Sequence, residues 1–295
     1  MGNVNSIARA MSKRDETAAP VHRFASAGDV HFKFITITEA SFEVPDVEHR
    51  HGYWTLFVFL EGEGRHVIDF KEVAIKPGSI HIVLPGQIHA LHGGKNFLAN
   101  ALIFTEEFFF MRDETIKLLM RLFHFMDTGE AAAFDISQTD RDFFTNLLKL
   151  ILSEYQSQDA NKGAVLLDLL SVFVTKCMSA LNLPQLGHTG DDSLDYIRLR
   201  KEVERSYKSI HTVADYSQRL GVSPKQLNEI CRNYTGRTAL EFIHARLTVE
   251  AKRLLKFSNK PIKQIAYELN FTDAAHFTNF FKQKTGFTPV EFKNS

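Results

Sequence analysis

The order of apolar and polar positions changes character twice along this chain of 295 residues. Between residues 31 and 104, short runs rich in β-branched and aromatic residues are separated by turns such as "EGEG", "KPG" and "PGQ". The runs "HFKFITI", "WTLFVFL", "RHVIDF", "SIHIVL" and "FLANALIF" have the length and composition of strands. Several strands at this pitch predict an antiparallel sandwich or barrel.

Two helices are predicted after the strands, over residues 140–155 and 164–181, where apolar residues recur at helical spacing. The second helix carries one apolar stripe that includes Leu166, Leu170, Phe173 and Cys177. An amphipathic helix buries such a stripe against a neighbouring element. We therefore expect this helix to pack on the outside of the β-domain.

The C-terminal third contains an internal repeat, in which the phrase T-G-x-T-x-x-E-F occurs at residues 235–242 and again at 285–292. The similarity extends upstream, to "SQRLGVSPKQLNEICRNYTG" (217–236) and "AYELNFTDAAHFTNFFKQKTG" (266–286). The offset between the copies is 49 residues before the second helix and 50 after it. A single residue is thus inserted at the start of that helix in the second copy.

Each copy has the pattern of a helix-turn-helix unit. Gly221 and Asn270 are residue types that tolerate the left-handed turn between the two helices. Ser223 is a predicted N-cap, with Gln226 completing a capping box. Thr272 is the predicted cap of the equivalent helix. A single such pattern also fits a plain helical hairpin, but two tandem copies favour a DNA-binding domain.

A long connecting helix is predicted between the copies, over residues 238–258. Its apolar stripe consists of Ile243, Leu247, Ala251 and Leu254. A helix that packs on both units would hold their second helices in successive major-groove segments, about 34 Å apart.

The formal net charge of zero conceals an uneven distribution. Residues 194–295 contain 18 Lys and Arg against 10 Asp and Glu, whereas residues 1–193 contain 17 against 25. A small basic unit joined to a larger acidic one predicts that only the C-terminal unit contacts a polyanion.

From "TVADYSQRLG" to "FTPVEFK", about one hundred residues resemble the DNA-binding domain of the AraC-type transcription factors, the family of the arabinose regulator. The signature stretch "IKQIAYELNFTDAAHFTNFFKQKTGFTPVEF" carries much of the resemblance. The resemblance implies base contacts in both units, which fall on Lys225, Gln226, Asn228, Glu229, Ala274, Ala275, His276, Thr278 and Asn279. Ala274 and Ala275 can contact only thymine methyl groups, so we expect the first unit to discriminate more between sequences.

Phosphate contacts are predicted separately, because they position a protein on DNA without reading its sequence. The predicted set consists of Ser223, Arg232, Thr272, Lys282 and Lys284. The alternative for each of the three basic residues is a solvated surface charge.

The segments "HRHGYW", "FLEGEG" and "IKPGSIHIVLPGQIHAL" resemble a cupin barrel of the effector-binding type that precedes AraC-type DNA-binding domains. An effector pocket lined by His49, His51, Tyr53, Trp54 and His89 is predicted on this basis. The resemblance also implies that the apolar stripe of residues 166–177 contributes to a dimer interface.

A metal site in the barrel is the sharpest alternative, because His49, His51 and His89 resemble the three imidazole ligands of metal-binding cupins. The Glu that should follow the first pair is absent, and Tyr53 and Trp54 occupy that region. We therefore expect neither a metal nor another cofactor. Five further histidines are interpreted as ordinary surface or structural residues: His22, His31, His66, His81 and His92.

Four regions follow from these patterns: a disordered lead-in (1–20), the cupin-like effector and dimerisation domain (21–183), a linker (184–193) and the DNA-binding domain (194–295). Two cysteines are too few for a disulfide framework, which indicates a reducing cytoplasm. The apolar run of residues 164–181 is interrupted by Asp168 and Lys176, so no membrane span is expected.

We expect a DNA-binding transcriptional regulator that responds to a small-molecule effector, with activation favoured over repression. Its expected partners are double-stranded promoter DNA, RNA polymerase and a second copy of the chain. A metal-dependent cupin oxygenase or isomerase fused to a DNA-binding module is the alternative. A third class, an architectural DNA binder without a ligand, predicts no specific DNA site.

Overall fold

A computed structural model describes residues 21–22, 31–42, 47–93, 96–109, 112, 115, 118, 133–180 and 193–294. The described residues divide into two compact units, 21–180 and 193–294. The predicted disordered lead-in and nearly all of the predicted linker lie outside the described residues.

The first unit contains two sheets, each with five strands in the part of the chain that is described. The strands are β1 (Val21–His22), β2 (Phe32–Thr38), β3 (His49–His51), β4 (Trp54–Glu61), β5 (Gly64–Ile68), β6 (Lys71–Ile75), β7 (Ser79–Val83), β8 (Ile88–Gly93), β9 (Leu98–Phe104) and β10 (Ala133–Asp135). Their order is β1-β3-β8-β5-β6 in one sheet and β10-β7-β4-β9-β2 in the other. The predicted antiparallel β-domain is confirmed, with β1 and β3 as a parallel pair.

The strand register places histidines from several strands close together. His49 pairs with His89 between β3 and β8, and His89 also lies opposite Ile68 of β5. In the second sheet, His81 of β7 lies opposite Phe57 of β4. Side chains at every second position of these strands point to the same face of the sheet.

An apolar cluster lies in the interior of the β-domain. Its buried members are Phe57, Phe59, Ile68, Ile75, Val83, Leu91, Phe97, Ala99, Ala101 and Ile103. Ile35, Ile37 and Tyr53 are partly buried against it. Burying this much aromatic and aliphatic surface is the main force that holds the two sheets together.

Helices cover the opposite face of the second sheet. A 3₁₀ helix (Glu39–Phe42) and three α-helices are described: α1 (Glu106–Phe109), α2 (Arg141–Gln156) and α3 (Lys162–Ala180). Tyr155 of α2 packs edge-on against Phe32 of β2 at 6.0 Å between ring centroids. Phe144 of α2 contacts Phe173 of α3 at 5.1 Å. The predicted helix pair is therefore present as a layer on the β-domain.

The apolar stripe of α3 faces this layer and not the solvent. Leu166, Leu170, Phe173 and Cys177 are at most 1% exposed within the single chain. A side chain that is buried inside its own domain has no surface to offer a second chain, so these four residues do not form the expected dimer face. The solvent-facing side of α3 carries Val165 and Val172 instead, at 38% and 46% exposure.

The helix α3 is also long and apolar enough to cross a membrane by length and composition. Core helices of soluble proteins pass the same test, and the contact between Phe144 and Phe173 places one face of α3 in a protein interior.

Seven helices form the described part of the second unit. They are α4 (Ser193–Ser206), α5 (Val213–Leu220), α6 (Pro224–Thr235), α7 (Ala239–Phe257), α8 (Ile262–Glu268), α9 (Ala274–Thr285) and α10 (Pro289–Asn294). The predicted connecting helix is α7, and it contacts α4, α6, α8, α9 and α10. Each helix-turn-helix copy buries one apolar stripe of its second helix: Leu227, Ile230 and Tyr234 in the first copy, and Phe277 and Phe281 in the second. Phe280 is only half-buried.

A buried carboxylate fixes α7 within this unit. Glu250 is fully buried, and Arg246 and Arg253 lie 3.3 and 3.8 Å from one of its carboxylate oxygens. Lys208 lies 3.7 Å from the other oxygen, and Arg246 also pairs with Glu204 at 2.6 Å. Removing one member of a buried ion cluster leaves the others uncompensated, so this network restricts where α7 can lie.

Candidate functional site

The first helix-turn-helix unit consists of α5, a tight turn and α6. Gly221 ends α5 with φ 69°, a left-handed conformation that Gly adopts without steric cost. The Ser223 hydroxyl accepts the backbone N–H of Gln226, and the Gln226 side chain returns to the backbone N–H of Ser223. Pro224 occupies the first turn. Every local signal predicted for this unit is confirmed.

The second unit has the same arrangement with one difference at the cap. Asn270 takes φ 57° at the turn, so the predicted left-handed residue is confirmed. The N-cap of α9 is Asp273, whose carboxylate accepts the backbone N–H of His276 at 2.7 Å. The prediction that Thr272 caps this helix is wrong, because the inserted residue moves the helix start forward by one. The Thr272 hydroxyl instead lies 3.2 Å from the Nδ1 of His276.

The repeated phrase T-G-x-T-x-x-E-F has the same structural role in both copies. Gly236 and Gly286 end α6 and α9 with φ 69° and 81°. Two residues later, the Thr238 hydroxyl accepts the backbone N–H of Glu241, whose carboxylate accepts the Thr238 N–H at 2.8 Å. Thr288 and Glu291 make the same pair of bonds before α10. The phrase therefore stops one helix and starts the next.

The solvent-facing side of α6 carries the first group of predicted base contacts. The Lys225 side chain is 87% exposed, and its Nζ lies 3.9 Å from a carboxylate oxygen of Glu229, which is 58% exposed. The Gln226 side chain is held in the capping box. Asn228 is half-buried, and its amide bonds the carbonyl of Pro224 at 3.0 Å and the backbone N–H of Ala239 at 3.0 Å. Lys225 and Glu229 thus have the most freedom to reach a ligand.

The equivalent side of α9 carries the second group. Ala275, His276 and Asn279 are exposed, whereas Ala274 and Thr278 are half-buried. The Thr278 hydroxyl donates to the carbonyl of Ala274 at 2.7 Å.

The predicted phosphate contacts are all solvent-accessible. Ser223, Arg232, Thr272, Lys282 and Lys284 are exposed. Lys282 and Lys284 lie in the last turn of α9, where the helix dipole favours positive charge.

The interior of the β-domain holds a chain of four buried histidines. Nε2 of His51 lies 3.0 Å from Nε2 of His89, and Nδ1 of His89 lies 3.1 Å from Nε2 of His66. Nδ1 of His66 lies 3.1 Å from Nδ1 of His81. All four residues are at most 3% exposed. His66 and His81, interpreted above as ordinary surface or structural residues, therefore belong to this chain. The position of His81 between Ile80 and Ile82 in an otherwise apolar strand is the one sequence signal for it.

Burial sets the protonation state of the inner half of this chain. Desolvation lowers the pKa of His66 well below the usual value of 6.5, and the neighbouring His81 lowers it further. Burial also lowers the pKa of His81 to about 4, although the charge of Asp135 and the backbone carbonyl of Ala74 oppose this shift. Both imidazoles are therefore neutral at pH 7.

The other predicted pocket residues have different positions. Tyr53 is half-buried and stacks on the His51 ring at 4.1 Å, and burial raises its pKa to about 12. His49 is half-buried, with its ring 4.3 Å from that of His89. Trp54 was expected in the same pocket, but it lies on the other face of β4. Thr55 faces His51, so its neighbour Trp54 points away and stacks on Phe104.

The histidine geometry bears on the metal alternative. His66 and His89 each direct one ring nitrogen toward one neighbouring histidine and the other nitrogen toward the next, so the nitrogens form a line and do not converge on a point. Within the described ranges, no group of three or more His, Cys, Asp or Glu residues is arranged to hold a metal ion.

Comparisons with known protein families give a match within each of the two units. A family profile described as a helix-turn-helix domain matches residues 216–295, and one described as an AraC-like ligand binding domain matches residues 35–136. The arabinose operon regulatory protein of Escherichia coli (strain K12) is 24% identical over 243 residues, which is 81% of this chain and 80% of that protein. The HTH-type transcriptional activator RhaS of Mannheimia succiniciproducens is 21% identical over 248 residues, or 83% of this chain and 88% of that one.

Among solved structures, ToxT from Vibrio cholerae is 15% identical, with a TM-score of 0.40, and the match covers 90% of this chain and 98% of ToxT. A β-domain of the ligand-binding type and a basic domain with two helix-turn-helix units define a DNA-binding transcriptional regulator. The chain belongs to the AraC family of such regulators.

Proposed function

We propose that the chain activates transcription from specific promoters when a small-molecule effector binds inside its β-domain. The observation that carries this proposal is the pair of capped, solvent-facing helices α6 and α9, joined by α7 in one basic unit. Two such helices can enter successive major-groove segments on one face of a duplex.

Within this pair, α6 is proposed to read bases through Lys225 and Glu229. A Lys can donate to guanine acceptors, and a Glu can accept from the cytosine amino group. The α9 surface offers Ala275, His276 and Asn279, so its contribution to discrimination is smaller. Arg232, Lys282 and Lys284 are proposed to neutralise phosphates, with the hydroxyls of Ser223 and Thr272 beside them.

Asn228 has a different proposed role. Both ends of its amide are already bonded to backbone groups within the domain. We infer that it fixes the angle between α6 and α7, and that its contribution to DNA binding is mainly positional.

Effector binding is proposed to occur in the interior lined by His51, His89 and the apolar cluster, with Tyr53 at its edge. The family match to a ligand binding domain supports this location. A ligand shifts the equilibrium between arrangements only by its difference in affinity for them. Binding would therefore favour the arrangement that is competent on DNA.

The remaining proposals concern partners and location. The names of relatives such as the RhaS activators support activation, which requires contact with RNA polymerase on promoter DNA. A homodimer is proposed through the solvent-facing side of α3, and the cytoplasm is the proposed location. The relatives named here are regulators and not enzymes, which supports a non-catalytic β-domain.

A reporter assay tests this function. A promoter that carries the DNA site selected by the purified chain is placed upstream of a reporter gene. The cells express either the full chain or a chain that lacks the β-domain, and small molecules are supplied one at a time. The proposal predicts that an effector raises transcription in cells with the full chain and not in cells with the shortened one. Transcription that the full chain lowers, or leaves unchanged with every molecule supplied, would contradict effector-dependent activation.

A further inference from the structure

The turn of the second helix-turn-helix unit has the same backbone as the turn of the first. The N–H of Gly221 donates to the carbonyl of Gln218. At the equivalent place in the repeat, the N–H of Asn270 donates to the carbonyl of Tyr267. Asn270 takes φ 57° where Gly221 takes φ 69°. Gly enters this left-handed conformation without steric cost, whereas a residue with a side chain does not. The turn alone therefore gives no reason for an Asn at this position.

The Asn270 side chain has a partner outside the turn. Its amide nitrogen donates to the backbone carbonyl of Ser209 at 2.9 Å. Ser209 belongs to residues 207–212, the segment between α4 and α5, which we call the bridging segment. A Gly has no side chain with which to make such a bond. Asn270 thus gives the second turn a contact that the residue type of the first turn could not make.

Two further contacts join the bridging segment to the same turn. Nζ of Lys208 lies 3.1 Å from Oε1 of Glu268, the last residue of α8, and Nζ of Lys260 lies 2.7 Å from Oε2. The His211 ring packs against the ring of Phe271 at 5.2 Å between centroids. Burial alone would raise the pKa of Glu268, but hydrogen bonds from Lys260 and Lys208 outweigh it and lower the pKa, so this carboxylate is charged at pH 7. The bridging segment therefore contacts the turn on both sides of its left-handed residue.

The other end of the bridging segment is fixed to the first helix-turn-helix unit. Thr212 is the N-cap of α5, and its hydroxyl accepts the backbone N–H of Asp215 at 3.2 Å. The hydroxyl of Tyr216, a fully buried residue of α5, donates to the carbonyl of Ile210 at 3.2 Å. The two helix-turn-helix units are therefore connected through the bridging segment as well as through α7. A second connection restricts rocking of the units about the first.

We propose that Asn270 and Glu268 are positioning residues for DNA recognition, which hold α9 at a fixed offset from α6 through the bridging segment. They thereby set the spacing that the chain accepts between its two DNA segments, and neither side chain contacts a base. This inference rests on the proposed function, because it requires that α6 and α9 enter successive major-groove segments. The spacing of a two-part DNA site follows from the geometry of the protein that binds it.

Binding of the full chain to duplexes of altered spacing tests this role. The duplexes carry the two DNA segments at the preferred spacing, or with one base pair added or removed between them. The measured quantity is the spacing ratio, which is the affinity for the preferred spacing divided by the affinity for an altered one. Each spacing ratio is taken within one variant, so a uniform change in affinity cancels.

Asn270→Gly removes the bond to Ser209 and keeps the turn, because Gly fits the left-handed conformation. This variant is expected to fold, to keep its base preference within each DNA segment, and to lower the spacing ratio by about threefold to tenfold, the effect of one lost hydrogen bond. Glu268→Gln keeps the side-chain shape and removes the charge that Lys208 and Lys260 pair with. It is expected to lower the spacing ratio in the same direction.

Gly221→Asn makes the reverse exchange in the first turn and is the matched control. A Cβ added at this position meets no other part of the chain within 4 Å, so the spacing ratio should stay unchanged. An unchanged spacing ratio in Asn270→Gly would overturn the proposal, as would a ratio near one in the unmodified chain. An equal loss in Gly221→Asn would also overturn it, because the turn residue itself would then set the spacing. Selection of no shared DNA motif by the unmodified chain would overturn the proposed function as well.

Discussion

The side-chain oxygen of Asn228 accepts a 3.0 Å hydrogen bond from the backbone N–H of Ala239, the first residue of α7. The equivalent residues in the second unit are Thr278 and Pro289, and Pro has no N–H to donate. The two copies of the repeat therefore differ at the first residue of the following helix. In the first copy a side chain accepts the backbone N–H of that residue, and in the second copy that residue has no N–H to satisfy.

Asn228→Ala is expected to destabilise the DNA-binding unit by about 1–2 kcal/mol, because it leaves the N–H of a buried helix start without its acceptor. DNA affinity should fall by the same factor for every DNA sequence in a panel, because the change does not alter a base contact. Thermal unfolding and binding to a panel of duplexes measure the two effects. Thr278→Ala is the matched control and should cost less, since Pro289 offers no N–H. A change in sequence preference would instead make Asn228 a base contact.

Lys225→Ala is expected to behave in the opposite way. The side chain is almost fully exposed and its ion pair with Glu229 is a surface pair, so stability should change by less than about 0.5 kcal/mol. Affinity for the preferred site should fall by about 1–3 kcal/mol, with relaxed specificity at one base pair. Lys149→Ala makes the same charge change in the other unit and should have no effect. An unchanged base preference would exclude Lys225 as a base reader.

Dimerisation is expected to depend on the solvent-facing side of α3 and not on its buried stripe. Val172→Asp places a charge at a side chain that is 46% exposed, and it should weaken self-association at least tenfold with little loss of stability. Sedimentation equilibrium of the full chain measures this. Thr145→Asp, an exposed position on α2, is the control. Equal association constants for the two variants would place the interface elsewhere.

The stability of the β-domain is expected to fall between about pH 6.5 and pH 4. The folded-state pKa values of His66 and His81 are depressed, so the unfolded chain binds more protons in this range and acid favours unfolding. The stabilisation is complete above pH 6.5 and is lost as the pH falls to about 4, with roughly 3 kcal/mol from His81 alone.

Trp54 reports this loss specifically, because it is the only Trp of the chain and is buried in the β-domain. Urea unfolding followed by its fluorescence should show a lower midpoint at pH 4.5 than at pH 7. His81→Phe should reduce the difference. The same midpoint at both pH values would mean that His66 and His81 do not titrate as described.

Local sequence signals predict most of the turns and helix caps of the DNA-binding unit, and the one cap predicted wrongly has a physical reason. The turns at Gly221 and Asn270 and the cap at Ser223 depend on a few neighbouring residues, so they could be predicted. The cap of α9 is harder to predict, because Thr272 and Asp273 are adjacent and both residue types cap helices. The inserted residue at this point makes Asp273 the N-cap, and not Thr272.

The histidine chain could not be predicted in the same way. His51, His66, His81 and His89 lie on four different strands. Strand pairing within one sheet brings the first, second and fourth of these together, and only the packing of the second sheet adds His81. The side of the sheet that Trp54 occupies depends on strand register, where a shift of one residue reverses every side chain. The buried stripe of α3 looked equally suited to a core and to an interface, and the position of α2 decides between them.

Selection of double-stranded DNA from a random-sequence pool with the purified full chain tests directly whether the chain binds specific DNA sites. We expect a recovered motif with two conserved segments about one helical turn, or 10–10.5 base pairs, apart from centre to centre. The segment bound by α6 should be the more strongly conserved, and Lys225→Ala should weaken conservation there alone. Recovery of DNA with no shared motif would contradict the claim that this chain is a sequence-specific regulator.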